Sequence, residues 1–246
     1  MCSVIILRRP GHPWPVLIGA NRDEMQARPW QGPGRYWPQL PKVRAGQDLN
    51  AGGTWQGIND QGVQAAVLNR FGSLGPAPGK RSRGELPLLA LAEDNAGCAA
   101  QVIAELDPSQ YQPFNMLVAD SHQAFWLANR GEAISLQRVP EGLSMLTAHD
   151  LNDTQASPRM AHNLPRFRLA QVPDPAKPNW QAWQQLLGFE GEQPPDPAHF
   201  DIRADALCIR SNIGFQTVSS SLIALPATGQ PLWWFDGGQG FALVAD

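Results

Sequence analysis

Residues 1–9 read MCSVIILRR and residues 19–29 read GANRDEMQARP, and how these two stretches meet decides the fold. Cys2–Leu7 and Val16–Ala20 are short apolar, β-branched runs on either side of the turn-rich RRPGHPWP, a pattern that predicts a β-hairpin. The hairpin carries Cys2 to the strand end where Arg22, Asp23, Glu24 and Arg28 crowd together. Taken separately, Cys2 reads as a small buried strand residue and the charged cluster as a solvated turn with an ion pair. Taken together, they read as a nucleophile in an electrostatic setting. Cysteine at position 2 permits removal of Met1, and the amine so freed, with a reference pKa near ~7.7–8.0, can accept the thiol proton at neutral pH.

Composition narrows the field. A chain of 246 residues with 43% hydrophobic residues and 9 Trp has the material for one domain with a substantial core, expected to span 1–246. The 23 Pro and 23 Gly imply many ordered turns. With 19 basic against 22 acidic residues, the net charge of -3 provides no basic footprint for nucleic acid or an acidic membrane surface. The apolar run Val4–Leu7 is too short for a signal peptide, and Arg8 and Arg9 follow it instead of preceding it. No stretch approaches the roughly 20 apolar residues of a membrane span. Cys2, Cys98 and Cys208 form no CxxC pair, which fits a reducing, cytoplasmic setting. The five histidines show no metal-ligand spacing, and no cofactor is expected.

Along the chain, 28–46 (RPWQGPGRYWPQLPKVRAG) has no sustained period and reads as a stiff surface loop over a site. GGTWQGINDQGVQAAVLN predicts two strands around NDQG. Helical spacing follows through Leu106, with Ser82 or Asn95 as caps. FNMLVAD, AFWLAN, AISLQRV and LSMLTA then predict an antiparallel meander. Helices are expected at Ala156–Ala170 and Asn179–Leu187, and late strands at Ala206–Ile209, Gln216–Leu225 and Pro231–Asp236. Two antiparallel sheets flanked by helices, a four-layer αββα sandwich of the α+β class, accommodate this order.

The MC start with NRDE close behind it resembles the NRDE family, whose eukaryotic members are called transport and Golgi organization protein 2. The likeness runs over most of the chain and is densest between Met1 and Gly84. It implies an N-terminal nucleophile hydrolase fold similar to the choloylglycine hydrolase and penicillin V acylase group. There the mature chain begins with the nucleophilic cysteine, and a G-R-x-x-D motif ends the next strand. This chain reads Gly19-Ala20-Asn21-Arg22-Asp23, so the aspartate falls on Asp23 and the arginine is displaced by two residues to Arg22. Strand side chains alternate, so positions 20 and 22 share a face.

GINDQGVQAAVLNR resembles the same group's hairpin and sets Asn69 on its oxyanion-hole asparagine; as a residue it reads equally as a strand-end turn. Arg210, in CIRSN, is similar to a late arginine of the group, and a structural pair accounts for it as well. LTAHDLND departs from the pattern, with Ala148 and His149 where relatives read LSN. The resemblance therefore implies Cys2, Arg22, Asp23, Asn69 and Arg210 as site residues, with Arg22 and the freed ammonium lowering the Cys2 thiol pKa. Two functions follow: a cysteine amidohydrolase acting on a non-peptide C–N bond of a small molecule, or a non-catalytic carrier of haem or lipid, in keeping with the family's association with secretion, lipid metabolism and haem. Trp30, Trp37 and Trp55 are candidates for a hydrophobic ligand's rim.

Overall fold

The opening hairpin is the centre of the first sheet: β1 (Ser3–Arg8) pairs antiparallel with β2 (Val16–Met25), from Ser3 opposite Asn21 to Arg8 opposite Val16. The computed structural model describes residues 2–177 and 179–245, so the expected removal of Met1 lies outside the described residues. In the second sheet, β3 (Trp30–Gly34), β4 (Val43–Asp48), β5 (Gln56–Asn59), β6 (Gln64–Asn69), β7 (Phe114–Ala119), β8 (Ala124–Asn129) and β9 (Ile134–Arg138) lie side by side in chain order. The remaining strands are β10 (Gly142–Leu146), β11 (Phe215–Leu225), β12 (Leu232–Asp236) and β13 (Ala242–Leu243), and the first sheet runs β10-β1-β2-β11-β12-β13.

Alternation along the strands sorts the apolar residues into layers. Val4, Ile6 and Ile18 face Ala66, Leu68 and Leu117 between the sheets. Ile5, Leu7 and Leu17 face outward under α3 (Pro158–Leu169) and α4 (Gln181–Leu187). Ala65, Met116 and Val118 of the second sheet lie under α1 (Leu86–Leu91) and α2 (Ala96–Ala104). The result is the expected four-layer αββα sandwich of two antiparallel sheets. Each fully buried Ile or Leu contributes roughly 1.5–3 kcal/mol, so the doubly buried β1 and β2 are held firmly where their ends build the site. Among the described residues, no helix is long and apolar enough to cross a membrane.

Three sequence expectations are corrected. The stretch 28–46 contains β3 and β4 in place of a continuous loop; Pro33 is tolerated because β3 is the sheet's edge and its register shifts between Gln31 and Gly34. β10 leaves the meander for the first sheet, where Leu146 pairs with Val4. Ala206–Ile209 is buried but is not a strand: the N–H groups of Leu207 and Cys208 both donate to the Phe189 carbonyl, and Ile209 N–H donates to Thr217 Oγ1.

Candidate active site

The site lies where β1 begins and β2 ends. Continuing the β1–β2 register by one residue sets Cys2 opposite Arg22. Cys2, Ala20 and Arg22 line a cleft toward the second sheet, shared with Trp55, Gln56 and Ser219. On the other face of the sheet, Ser3 and Asp23 meet α3. The Asp23 N–H donates to Cys2 Sγ at 3.4 Å, and the thiol is directed at the Asp23 carbonyl at 3.8 Å. Asp23 therefore touches the sulfur through its peptide, while its carboxylate lies on the Ser3 side of the strand.

Among the described residues, that carboxylate is held by Thr217 and Arg159. Thr217 Oγ1 donates to Oδ1 at 2.6 Å, and Arg159 Nη1 donates to Oδ2 at 3.2 Å and to Ser3 Oγ at 3.2 Å. Arg159 stands in the first turn of α3, which Ser157 caps by accepting from the Met160 N–H and which Pro158 starts at the first helical position. A bulge in β11 does the rest: Thr217 pairs with Asp23 but Ser219 pairs with Arg22. Residues two apart would ordinarily share a face; the extra Val218 turns Thr217 toward the carboxylate and Ser219 into the cleft.

Arg22 lies 4.1 Å above Trp55 and 5.8 Å from Trp30, with Glu24 Oε2 at 3.8 Å from its Nη2. Burial lowers its pKa, against the pull of Cys2 and Glu24. Burial also pushes the Cys2 thiol up, and the Asp23 carboxylate adds to this; the Asp23 N–H and Arg22 pull it down without reversing the balance. Arg22 thus lowers the Cys2 pKa as expected, while desolvation of the thiolate is the larger effect. A second cation, Arg83, lies within electrostatic reach of Cys2; burial lowers it to about 10, and Cys2 opposes that shift. Its guanidinium donates to the carbonyls of Ser73 and Pro113, which are neutral partners.

Asn69 ends β6, half-buried. Two residues on, the Phe71 N–H donates to the Ala148 carbonyl, and Ala148 falls opposite Cys2 when the β1–β10 register is continued. Asn69 thus comes to the same end of the sandwich as Cys2. Arg210, half-exposed, pairs with Glu190 at 3.3 Å and donates from Nη1 to the carbonyl of Thr217 at 3.3 Å, one residue back from the Asp23 carboxylate, and Arg159 is on that carboxylate itself. Trp37 is a core residue beside Tyr36, with its indole N–H on the Gly52 carbonyl, away from the cleft. Among the described residues, no group of three or more His, Cys, Asp or Glu could hold a metal ion.

Residues 1–229 match the family described as Transport and Golgi organisation 2. The chain belongs to that family. It is 26% identical over 235 residues to the Transport and Golgi organization 2 homolog of Mus musculus, covering 87% of this chain and 83% of the mouse protein. The Homo sapiens homolog is 31% identical over 135 residues, or 51% of this chain and 48% of that one. In fold, the chain resembles a Caenorhabditis elegans N-acylethanolamine-hydrolyzing acid amidase ortholog, with a TM-score of 0.60 at 11% identity over 99% of this chain and 100% of that one. It also resembles a mutant conjugated bile acid hydrolase from Clostridium perfringens, with a TM-score of 0.56 at 13% identity over 99% and 92% of the two chains. This member of the Transport and Golgi organisation 2 family thus has the fold of N-terminal nucleophile hydrolases. Within that fold Ala148, 1% exposed, falls opposite Cys2 when the β1–β10 register is continued, and Arg159 is an arginine on the Asp23 carboxylate.

Proposed function

We propose that this protein is a cysteine amidohydrolase that cleaves a non-peptide C–N amide bond of a small molecule. The observation that carries the reading is the placement of Cys2 at the start of β1, its sulfur on the Asp23 peptide and beside Arg22 in an open cleft. Once Met1 is removed, the Cys2 amine takes the thiol proton and Sγ attacks the amide carbonyl carbon. The side-chain amide of Asn69 donates to the oxyanion. As the C–N bond breaks, the ammonium returns its proton to the leaving nitrogen, and a thioester remains. A water molecule that loses its proton to the same amine hydrolyses the thioester, releasing the acid and restoring the thiol. Arg22 stabilises the thiolate, and Asp23, clamped by Thr217 and Arg159, orients the amine. A retained Met1 makes that nitrogen an amide and removes the base.

The two structural neighbours are named for hydrolysing N-acylethanolamines and conjugated bile acids, and these classes, with N-acyl amino acids, form the first substrate panel. The test compares turnover by the processed native chain with that of Cys2→Ala, which should lose turnover and keep binding; no turnover of any panel member by the processed chain would count against the reading. The carrier reading draws on Trp30 and Trp55 flanking Arg22. Yet the free space in the cleft is only about 20 Å³, room for a water or two, so a ligand as large as a haem macrocycle would have to displace its walls. Saturable haem binding that survives Cys2→Ala, without turnover, would favour the carrier.

A further inference from the structure

The Cys2 cleft holds two buried donors that the protein leaves unused. Arg22 is 6% exposed and Gln56 2%; neither Arg22 Nη1 nor Gln56 Nε2 has a hydrogen-bond partner, and both residues line the cleft. A buried donor without an acceptor is costly, and native proteins keep few of them. Two in one cleft beside a thiol form a receptor whose acceptor arrives from outside.

The surroundings define that acceptor. No acidic side chain lines the cleft, and its polar residues besides Cys2, Arg22 and Gln56 are Asn21, Ser219 and Ser221. Trp55 packs 4.1 Å from the guanidinium centre and covers it on one side. A planar monoanion with two oxygens meets both donors at once, one from the guanidinium fork and one from the amide. A neutral carbonyl brings a single oxygen, enough for one of the two donors. A phosphate brings more charge than the one cation in the lining can balance.

We propose that Arg22 Nη1 and Gln56 Nε2 together bind a carboxylate of the ligand, which makes Gln56 a specificity-determining residue. Resting on the hydrolase reading, this makes the substrate an amide that carries a carboxylate, an N-acyl amino acid, in preference to one ending in a neutral group. Binding is measured without turnover by titrating the full-length, ¹⁵N-labelled Cys2→Ala chain with N-hexanoylglycine and with N-hexanoylglycinamide, following the Trp55 indole and Gln56 side-chain amide signals. The carboxylate should bind about tenfold or more tightly than the amide, and Gln56→Leu in the same background should cut that preference several-fold. Should Gln56→Leu fail to fold, Gln56→Glu keeps the shape, adds a repelling charge and should cut it further. Equal affinities, a preference undiminished by the Gln56 variant, or no saturable binding of N-hexanoylglycine would overturn the proposal. Carboxylate selectivity without turnover by the native chain would overturn the hydrolase reading alone.

Discussion

At the scale of single residues, Asp23 and Glu24 are neighbours with unlike roles. Asp23 is buried against Arg159 and Thr217, whereas Glu24 is partly exposed beside Arg22 and Arg28. Asp23→Asn should cost about 3–5 kcal/mol because it removes one charge of a buried, hydrogen-bonded ion pair. Glu24→Gln should cost less than about 1 kcal/mol. Urea denaturation of both variants checks this, and equal costs would mean that the buried pair is not the strand end's anchor. The thiols differ as sharply. In a chain that keeps Met1, exposed Cys98 should react with iodoacetamide before Cys2 and the buried Cys208 at neutral pH. Because burial raises the Cys2 thiol, its labelling rate should climb about tenfold per pH unit from about pH 7 to 9; a plateau below pH 8 would contradict that. Cys2 and Asp23 were legible because one hairpin joins them in sequence and in space. Arg159, Thr217 and Gln56 were not, since they arrive from distant elements and no local period marks which side chain will reach β2.

At the scale of elements, small irregularities aim the side chains. A Cβ on Gly46 in β4 would come within 2.3 Å of the Trp55 ring, so this glycine is what lets the indole lie across the strand and under Arg22. Gly46→Ala should cost about 1–3 kcal/mol and shift the Trp55 indole resonance; an unmoved resonance in a stable variant would disprove the link. Val218, the extra residue in β11, is the corresponding device on the other side of Arg22. Neither could be read in advance. A bulge is one residue in a strand whose pattern still alternates locally, and a glycine in a Pro- and Gly-rich stretch looks like loop. The same ambiguity hid β3 and β4 within 28–46 and made the short buried run 206–209 look like a strand. The caps at Ser82 and Asn95 were legible, since their side chains accept from the Gly84 and Cys98 N–H groups.

At the scale of the whole molecule, the layer order followed from the sequence because two-faced strands and one-faced helices have few ways to cover one another. What the pattern of elements misplaced was β10, read as the last strand of the meander, and its true place matters: at the edge beside β1, its continuation brings Ala148 opposite Cys2 and Asn69 to the same end. If Asn69 supplies the oxyanion donor there, Asn69→Ala should lower kcat by about 10²–10³-fold with little change in stability, and an unchanged kcat would remove it from the mechanism. The central claim is that Cys2 is an N-terminal nucleophile. Its most direct test is the intact mass of the native chain before and after brief exposure to an N-acyl amino acid, with peptide mapping of the product. The account predicts a chain lighter by one methionine residue that then gains one acyl group on the peptide beginning at Cys2, released by hydroxylamine as a thioester is. A native chain that retains Met1, or an acyl group found anywhere but Cys2, would contradict it.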